Sequence, residues 1–186
     1  LVTPALPIIA GLFNGAADAE WVSQLRRVRY LGNMCLVLRL KQSLSDTYWL
    51  NVNDPGFPFV GVIEHTNFDA PEHYKGTHIA YLSRYLAVED PVWAYGDEQY
   101  FDFALGHLKR MFPTFDRSWV VDYKVWRAEH AQPVTERNYS EYVPGSATPF
   151  SNAWISTMAQ IYPEDRGTNY AIREGRRIAE VLGTVT

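Results

Sequence analysis

The chain has 186 residues, 47% of them hydrophobic and 20% charged, the composition of a folded domain and not of a disordered tail. A net charge of −4 supplies no basic field for nucleic acid or anionic lipid, and a single cysteine excludes an internal disulfide and any multi-cysteine zinc or iron–sulfur site within the chain. Aromatic residues reach 15%, and so much rigid apolar surface suits a broad sheet or a pocket wall.

Leu1-Val2-Thr3 reads as the end of a buried strand, and Pro4 suits the first turn of a following helix. Asp18 to Arg27 carries Ala19, Trp21, Val22 and Leu25 near helical spacing. Tyr30 to Lys41 reads as a strand with the continuously apolar middle Met34-Cys35-Leu36-Val37-Leu38. Tyr48 to Asn53, Phe57 to Thr66 and Thr77 to Leu86 follow as strands, the first two separated by the turn Asp54-Pro55-Gly56. This pattern predicts an antiparallel meander. Asp97 to Met111 is a helix with Asp97 as its cap and a stripe of Tyr100, Phe103, Ala104, His107, Leu108 and Met111.

Ser118 to Gln132 reads as a long strand, with Val120, Asp122, Lys124 and Trp126 on one face and Trp119, Val121, Tyr123 and Val125 on the other. Asn152 to Ala159 is a last strand and Thr168 to Leu182 a last helix. The fold class is α+β: one domain over residues 1–186, with a mixed, mostly antiparallel sheet of about six strands and helices packed on it.

Several chemistries have no support. There is no GxGxxG, no GxxxxGK[ST] and no GxSxG. The five histidines have no HExxH spacing, so no metal site is expected. Cys35 lies in an apolar strand, where an inert thiol is expected. The uncharged stretches 1–17 and 142–163 are broken by Pro and Gly, so no transmembrane segment is expected. No signal-peptide pattern opens the chain, and the expected location is cytoplasmic.

Three places can carry function. In Val62-Ile63-Glu64-His65-Thr66-Asn67 a polar cluster closes an apolar strand; alternation sends Glu64 and Thr66 one way, His65 and Asn67 the other. These are either pocket-edge groups or polar strand-end groups satisfied by a nearby turn. The strand aromatics Tyr48, Trp49, Tyr81, Tyr85, Trp119, Tyr123 and Trp126 divide between core and pocket wall. In the C-terminal block, Ser156 to Ala179, a strand runs into a polar loop and a helix starts at Gly167-Thr168-Asn169. A helix N-terminus suits an electron-rich ligand atom, and Ala171, Gly175 and Ala179 form a stripe of small residues that permits close approach.

That block resembles the C-terminal FAD-binding segment of the flavin-containing amine oxidase superfamily, which includes monoamine oxidases and protoporphyrinogen oxidase. Gly167, Thr168, Asn169, Tyr170 and Ala171 match the turn beneath the flavin and the start of its helix. Val2-Thr3-Pro4 is similar to the family's crossing from cofactor domain to substrate domain. Tyr48-Trp49-Leu50-Asn51 and Phe59 to Asn67 resemble a protoporphyrinogen-oxidase-like branch. Where the family has a Gly-Asp pair before the loop, this chain has Ala159-Gln160.

The resemblance implies the substrate-binding half of an FAD-dependent oxidoreductase, one that passes a hydride from a small-molecule substrate to flavin. FAD would meet residues 167–171, and the substrate would meet Tyr48, Trp49, Glu64, His65 and Asn67. It further implies a partner, an N-terminal Rossmann half that carries the glycine fingerprint, and an apolar face that could pair two copies as a homodimer when that half is absent. A non-catalytic ligand-binding or interaction module of the same fold, and a flavin-dependent isomerase of the sugar-mutase type, are the alternatives.

Overall fold

In this computed structural model, which describes residues 1–183, the regular elements are α1 (Leu6–Leu12), α2 (Ala19–Arg27), β1 (Tyr30–Leu40), β2 (Trp49–Asn51), β3 (Gly61–Glu64), β4 (His78–Leu86), α3 (Asp97–Met111), β5 (Val120–Pro133) and α4 (Thr168–Gly183). They fall into two units. One is residues 31–132; the other joins residues 1–30 to the chain from Pro133 onward.

In the unit of residues 31–132 the sheet has five strands in the order β2-β3-β4-β1-β5. β1 pairs antiparallel with β4, not with β2, so the expected meander is corrected. β1 is the strand with the longest apolar run, and the position between β4 and β5 is where its hydrophobic residues are best covered. Its burial alternates strictly. Met34, Leu36, Leu38 and Leu40 are fully buried, whereas Cys35, Val37 and Arg39 between them are half-buried. The buried set meets Ala80, Leu82 and Leu86 of β4 and Tyr100, Phe101, Ala104, Leu105 and Leu108 of α3 in one core. Each buried Leu contributes about 2 kcal/mol of transfer free energy.

α3 has the expected bounds, but its buried stripe is rotated to Tyr100, Phe101, Ala104, Leu105 and Leu108, with Phe103, His107 and Met111 half-buried, and its cap is not the expected one. Gly96 occupies the N-cap. The Asp97 carboxylate instead accepts from Arg127 of β5 at 2.6 Å, and the same guanidinium donates to the Tyr95 carbonyl at 2.7 Å. Pairing with a full positive charge holds the carboxylate away from the helix N–H groups. Gly32 is needed for a close approach, because a Cβ there would meet the Trp93 ring at 2.7 Å. The third strand is shorter than expected: Phe57 to Phe59 stay outside the ladder, and after Glu64 the chain tightens into a 3-10 turn at His65–Asn67.

In the other unit, Asp18 caps α2, accepting from Glu20 N at 2.8 Å. Leu6, Ile9 and Ala10 of α1 pack with Val22, Leu25, Tyr139 and Ile155. Pro4 precedes α1, but Pro7 is the proline inside its first turn. The expected strand over 152–159 is corrected to isolated bridges, Val2 with Ile155 (parallel) and Ala147 with Trp154 (antiparallel), followed by a 3-10 turn at Met158–Gln160. This accounts for the difference between the sixth expected strand and the five observed. The Gln160 side chain accepts from Thr157 N at 2.7 Å and donates to the Pro144 carbonyl at 3.0 Å, which bends the segment out of ladder geometry. Among the described residues no helix is long and apolar enough to cross a membrane.

Candidate functional site

The sheet of residues 31–132 packs α3 on one face, and strand alternation assigns the remaining side chains to the other. Cross-strand register lines them up in rows. Trp49 is opposite Ile63, Ile63 opposite Tyr81, and Tyr81 opposite Val37. The neighbouring row is Asn51, Gly61, Ser83 and Cys35, with Asn33 Nδ2 donating to Ser83 Oγ at 2.9 Å. An apolar row, half aromatic and half aliphatic, therefore runs beside a row of small and polar groups, with no side chain at Gly61. Such a surface can hold a flat ligand and hydrogen-bond one of its edges.

The register also divides the strand aromatics. Tyr123 stacks on Phe101 of α3 at 3.8 Å and belongs to the core. Trp119 packs edge-on to Phe115. Trp49 and Trp126 are 56% and 60% exposed on the face opposite α3, and Lys124 lies over the Trp126 ring.

Tyr48, Trp49, Glu64, His65 and Asn67 come together at the β2–β3 end of the sheet. The Tyr48 carbonyl accepts from Glu64 N at 2.8 Å. The Tyr48 ring lies 5.1 Å from Phe68 and 6.3 Å from Trp49. Glu64 is buried, and its two carboxylate oxygens accept from Ser43 Oγ, Leu44 N (2.9 Å) and Ser45 N (3.0 Å). Asn67 Nδ2 donates to the Ser45 and Thr47 carbonyls at 2.7 and 3.1 Å. These two polar side chains hold the loop 43–47 that leads into Tyr48 and Trp49. His65 points elsewhere: its Nε2 lies 2.6 Å from Tyr74 Oη, and its ring stands edge-on to Tyr81 at 5.9 Å.

Sequence reading passed over Asp69, His73 and Tyr74. The Asp69 carboxylate accepts from Tyr74 Oη at 2.8 Å and pairs with His73 Nδ1 at 2.7 Å. These contacts hold the Asp69 carboxyl below the usual carboxylate range, and the same carboxylate raises the Tyr74 phenol. The four-residue spacing of Asp69 and His73 was the available signal, hidden because they lie in a loop and not in a periodic element.

Cys35 lies on the face opposite α3, and partial burial pushes its thiol up to about 11. The nucleophile is the thiolate. Alkylation by iodoacetamide at pH 8 is therefore expected to run about two orders of magnitude slower than for free cysteine. It should accelerate tenfold per pH unit up to about pH 10. A rate equal to that of free cysteine would show that the thiol is neither buried nor raised.

In the other unit, α4 begins at Thr168. A Cβ on Gly167 would meet Asn169 Oδ1 at 2.8 Å, so the absent side chain is what lets the Asn169 amide fold back against the turn. The first N–H groups of the helix lack intrahelical acceptors. Ala171 and Gly175 line a cleft of 230 Å³ together with Leu1, Thr3, Thr157 and Ile178. An added Cβ at Gly175 would meet nothing within 4 Å. At Gly175, therefore, the stripe of small residues faces open space. Thr157 is 6% exposed, and its hydroxyl oxygen has no hydrogen-bond partner among the described residues. Arg173 pairs with Glu164 at 2.8 Å, fastening the charged loop to the helix.

No protein-family model matches the chain, and no curated protein matches it. Solved structures do. Over 99% of its length the chain is similar to 40% of a protein named as a protoporphyrinogen oxidase from Exiguobacterium sp. 255-15, with a TM-score of 0.72 and 12% identity. Over 75% it is similar to 32% of an oxidoreductase from Methanosarcina mazei (TM-score 0.55, 22% identity). Over 75% it is also similar to 30% of reduced UDP-galactopyranose mutase (TM-score 0.57, 13% identity). The chain spans less than half the length of each. The chain shares the fold of part of each of these proteins, in agreement with the resemblance read from the sequence.

Proposed function

We propose that the chain is the substrate-facing part of an FAD-dependent oxidoreductase that takes a hydride from a C–N or C–C bond of a small molecule. The observation that supports this best is the face opposite α3, with its row Trp49, Ile63, Tyr81 and Val37 beside the row Asn51, Gly61, Ser83 and Cys35. It offers a substrate apolar contact and a polar edge at once.

The residues at the start of α4 fit the flavin. Gly167 removes a side chain from the turn, the first-turn N–H groups at Thr168, Asn169 and Tyr170 face outward along the helix axis, and the cleft beside Ala171 and Gly175 is open. Bound FAD would supply the hydride-accepting ring. The chain's own residues orient the substrate: Tyr48 and Trp49 supply the wall, Glu64 and Asn67 set its position through the loop 43–47, and His65 presents a polar group at its end. Gln160, at the position where the family has an acid, is committed to Thr157 and Pro144 and contributes no charge to the cofactor. The implied partner is a Rossmann half that carries the remaining FAD contacts.

Co-expression with the matching Rossmann half is expected to yield a yellow complex absorbing at about 450 nm. Gly167→Val, whose side chain collides with Asn169, should reduce the flavin retained without unfolding the chain. A wild-type complex that never retains flavin would overturn the reading. The similarity to UDP-galactopyranose mutase favours a second reading, a redox-neutral isomerase on the same scaffold. Turnover that consumes one electron acceptor per product supports the oxidoreductase; turnover that consumes none supports the isomerase.

A further inference from the structure

We propose that His65 is the proton-accepting group at the end of the open sheet face, that its Nδ1 is the basic atom, and that Tyr74, Asp69 and His73 are the positioning residues that hold it so. The chain of contacts leaves one arrangement of protons. Asp69 is an ionised carboxylate and only accepts. The single phenolic proton of Tyr74 goes to Asp69 Oδ2 at 2.8 Å. Tyr74 Oη must then accept from His65 Nε2 at 2.6 Å, so Nε2 carries the proton and Nδ1 carries the lone pair. Nδ1 makes no hydrogen bond among the described residues.

His73 donates its Nδ1 proton to Asp69 Oδ1 at 2.7 Å while its ring is 67% exposed, which keeps the carboxylate oriented and leaves Oδ2 for Tyr74. The ionisable groups facing His65 are Tyr74 from the 3-10 turn Pro71–Tyr74 and Tyr81 from β4. Tyr81 also stands in the row that runs from Trp49 to Val37, so the His65 ring lies beside the surface proposed to hold substrate.

The proton step balances simply. A substrate X–H bond breaks, its electron pair stays on X, and the proton forms a bond to His65 Nδ1. The resulting imidazolium donates Nε2–H to Tyr74, and Asp69 balances the charge through the phenol. Water takes the proton back from Nδ1 after product leaves. The identity of X–H rests on the oxidoreductase reading; the tautomer does not.

The test begins with imidazole ¹⁵N–¹H correlation spectra of the 186-residue chain. In the wild type, neutral His65 is expected to be protonated at Nε2 only. Tyr74→Phe should give a mixture of tautomers at His65 and leave the His73 ring signals unchanged, because the His73–Asp69 pair survives. Asp69→Ala removes the acceptor that takes the phenolic proton, so it too should give a mixture of tautomers at His65. This second variant gives the reading if Tyr74→Phe fails to fold.

In a flavin-loaded preparation His65→Gln, whose amide can still donate to Tyr74, should lower kcat about 10²-fold with KM and flavin retention held. A wild-type proton on Nδ1, a Tyr74→Phe spectrum that matches wild type, or an unchanged kcat in His65→Gln overturns the proposal. Failure of the wild type to retain flavin overturns the oxidoreductase reading instead, and a wrong tautomer overturns only the role of His65.

Discussion

Glu64→Ala is expected to destabilise residues 31–132 by about 3 kcal/mol in urea denaturation followed by tryptophan fluorescence. Glu64 is 1% exposed, and its carboxylate is the acceptor for Leu44 N, Ser45 N and Ser43 Oγ. Alanine leaves the Leu44 and Ser45 N–H groups without this acceptor, and the Leu44 N–H is buried; the Ser43 hydroxyl keeps the Ser45 carbonyl at 2.6 Å. An unmet buried donor costs about 1–3 kcal/mol, and a bond to a charged acceptor is worth about twice a neutral one. The loss extends beyond stability, because the same loop leads into Tyr48 and Trp49. Ligand binding at the row that runs from Trp49 to Val37 should weaken even under conditions where the variant is fully folded. Ser43→Ala removes one hydroxyl and should cost about 1 kcal/mol. A Glu64→Ala cost below that of Ser43→Ala would mean that water replaces the carboxylate and that the loop is not held by it.

The second large effect is a contrast between neighbours. Leu36→Ala should cost about 3 kcal/mol, because Leu36 is fully buried between the sheet and α3 and its removal leaves a cavity in a packed core. Val37→Ala, one residue along β1, should cost about 1 kcal/mol or less, because Val37 is half-buried on the opposite face. Equal costs in the isolated chain would show that both faces of β1 are covered, and the open face would no longer serve as a pocket wall.

Much of this architecture is legible from local pattern. Asp97 to Met111 is a helix with the boundaries its periodicity predicts, and β1 is readable from its apolar run. α4 starts at Thr168 as the Gly-Thr-Asn turn predicts. These elements are long, and each repeats its signal several times. The sixth strand failed because its apolar residues were too few to outweigh the Thr157–Gln160 hydrogen bond that turns the chain. The Asp97 cap failed because Arg127, thirty residues away, pulls the carboxylate aside.

At the candidate site the same division holds. The cluster Glu64–His65–Asn67 was visible as polar residues that end an apolar strand, and alternation separated Glu64 from His65 correctly; it wrongly placed Asn67 with His65, because the chain leaves strand geometry after Glu64 and the 3-10 turn swings Asn67 toward the loop that Glu64 holds. That Glu64 and Asn67 would turn toward the loop 43–47 was not visible, since their partners are main-chain groups whose position depends on how the loop closes. The assembly of His65, Tyr74, Asp69 and His73 was equally hidden, for loops bring residues together by turns and not by period.

The sequence by itself determined the class of fold, the small-residue helix start at residues 167–171 and the family that it resembles, because these depend on interactions between near neighbours. Only the tertiary structure decided which face of the sheet meets α3. Alternation leaves two choices for every strand, and the choice follows from register: once β1 pairs with β4, Leu36 joins Leu82 in the core and Val37 joins Tyr81 on the other side. That pairing put Trp49, Tyr81 and Val37 in one row, and with it gave His65 a surface to face.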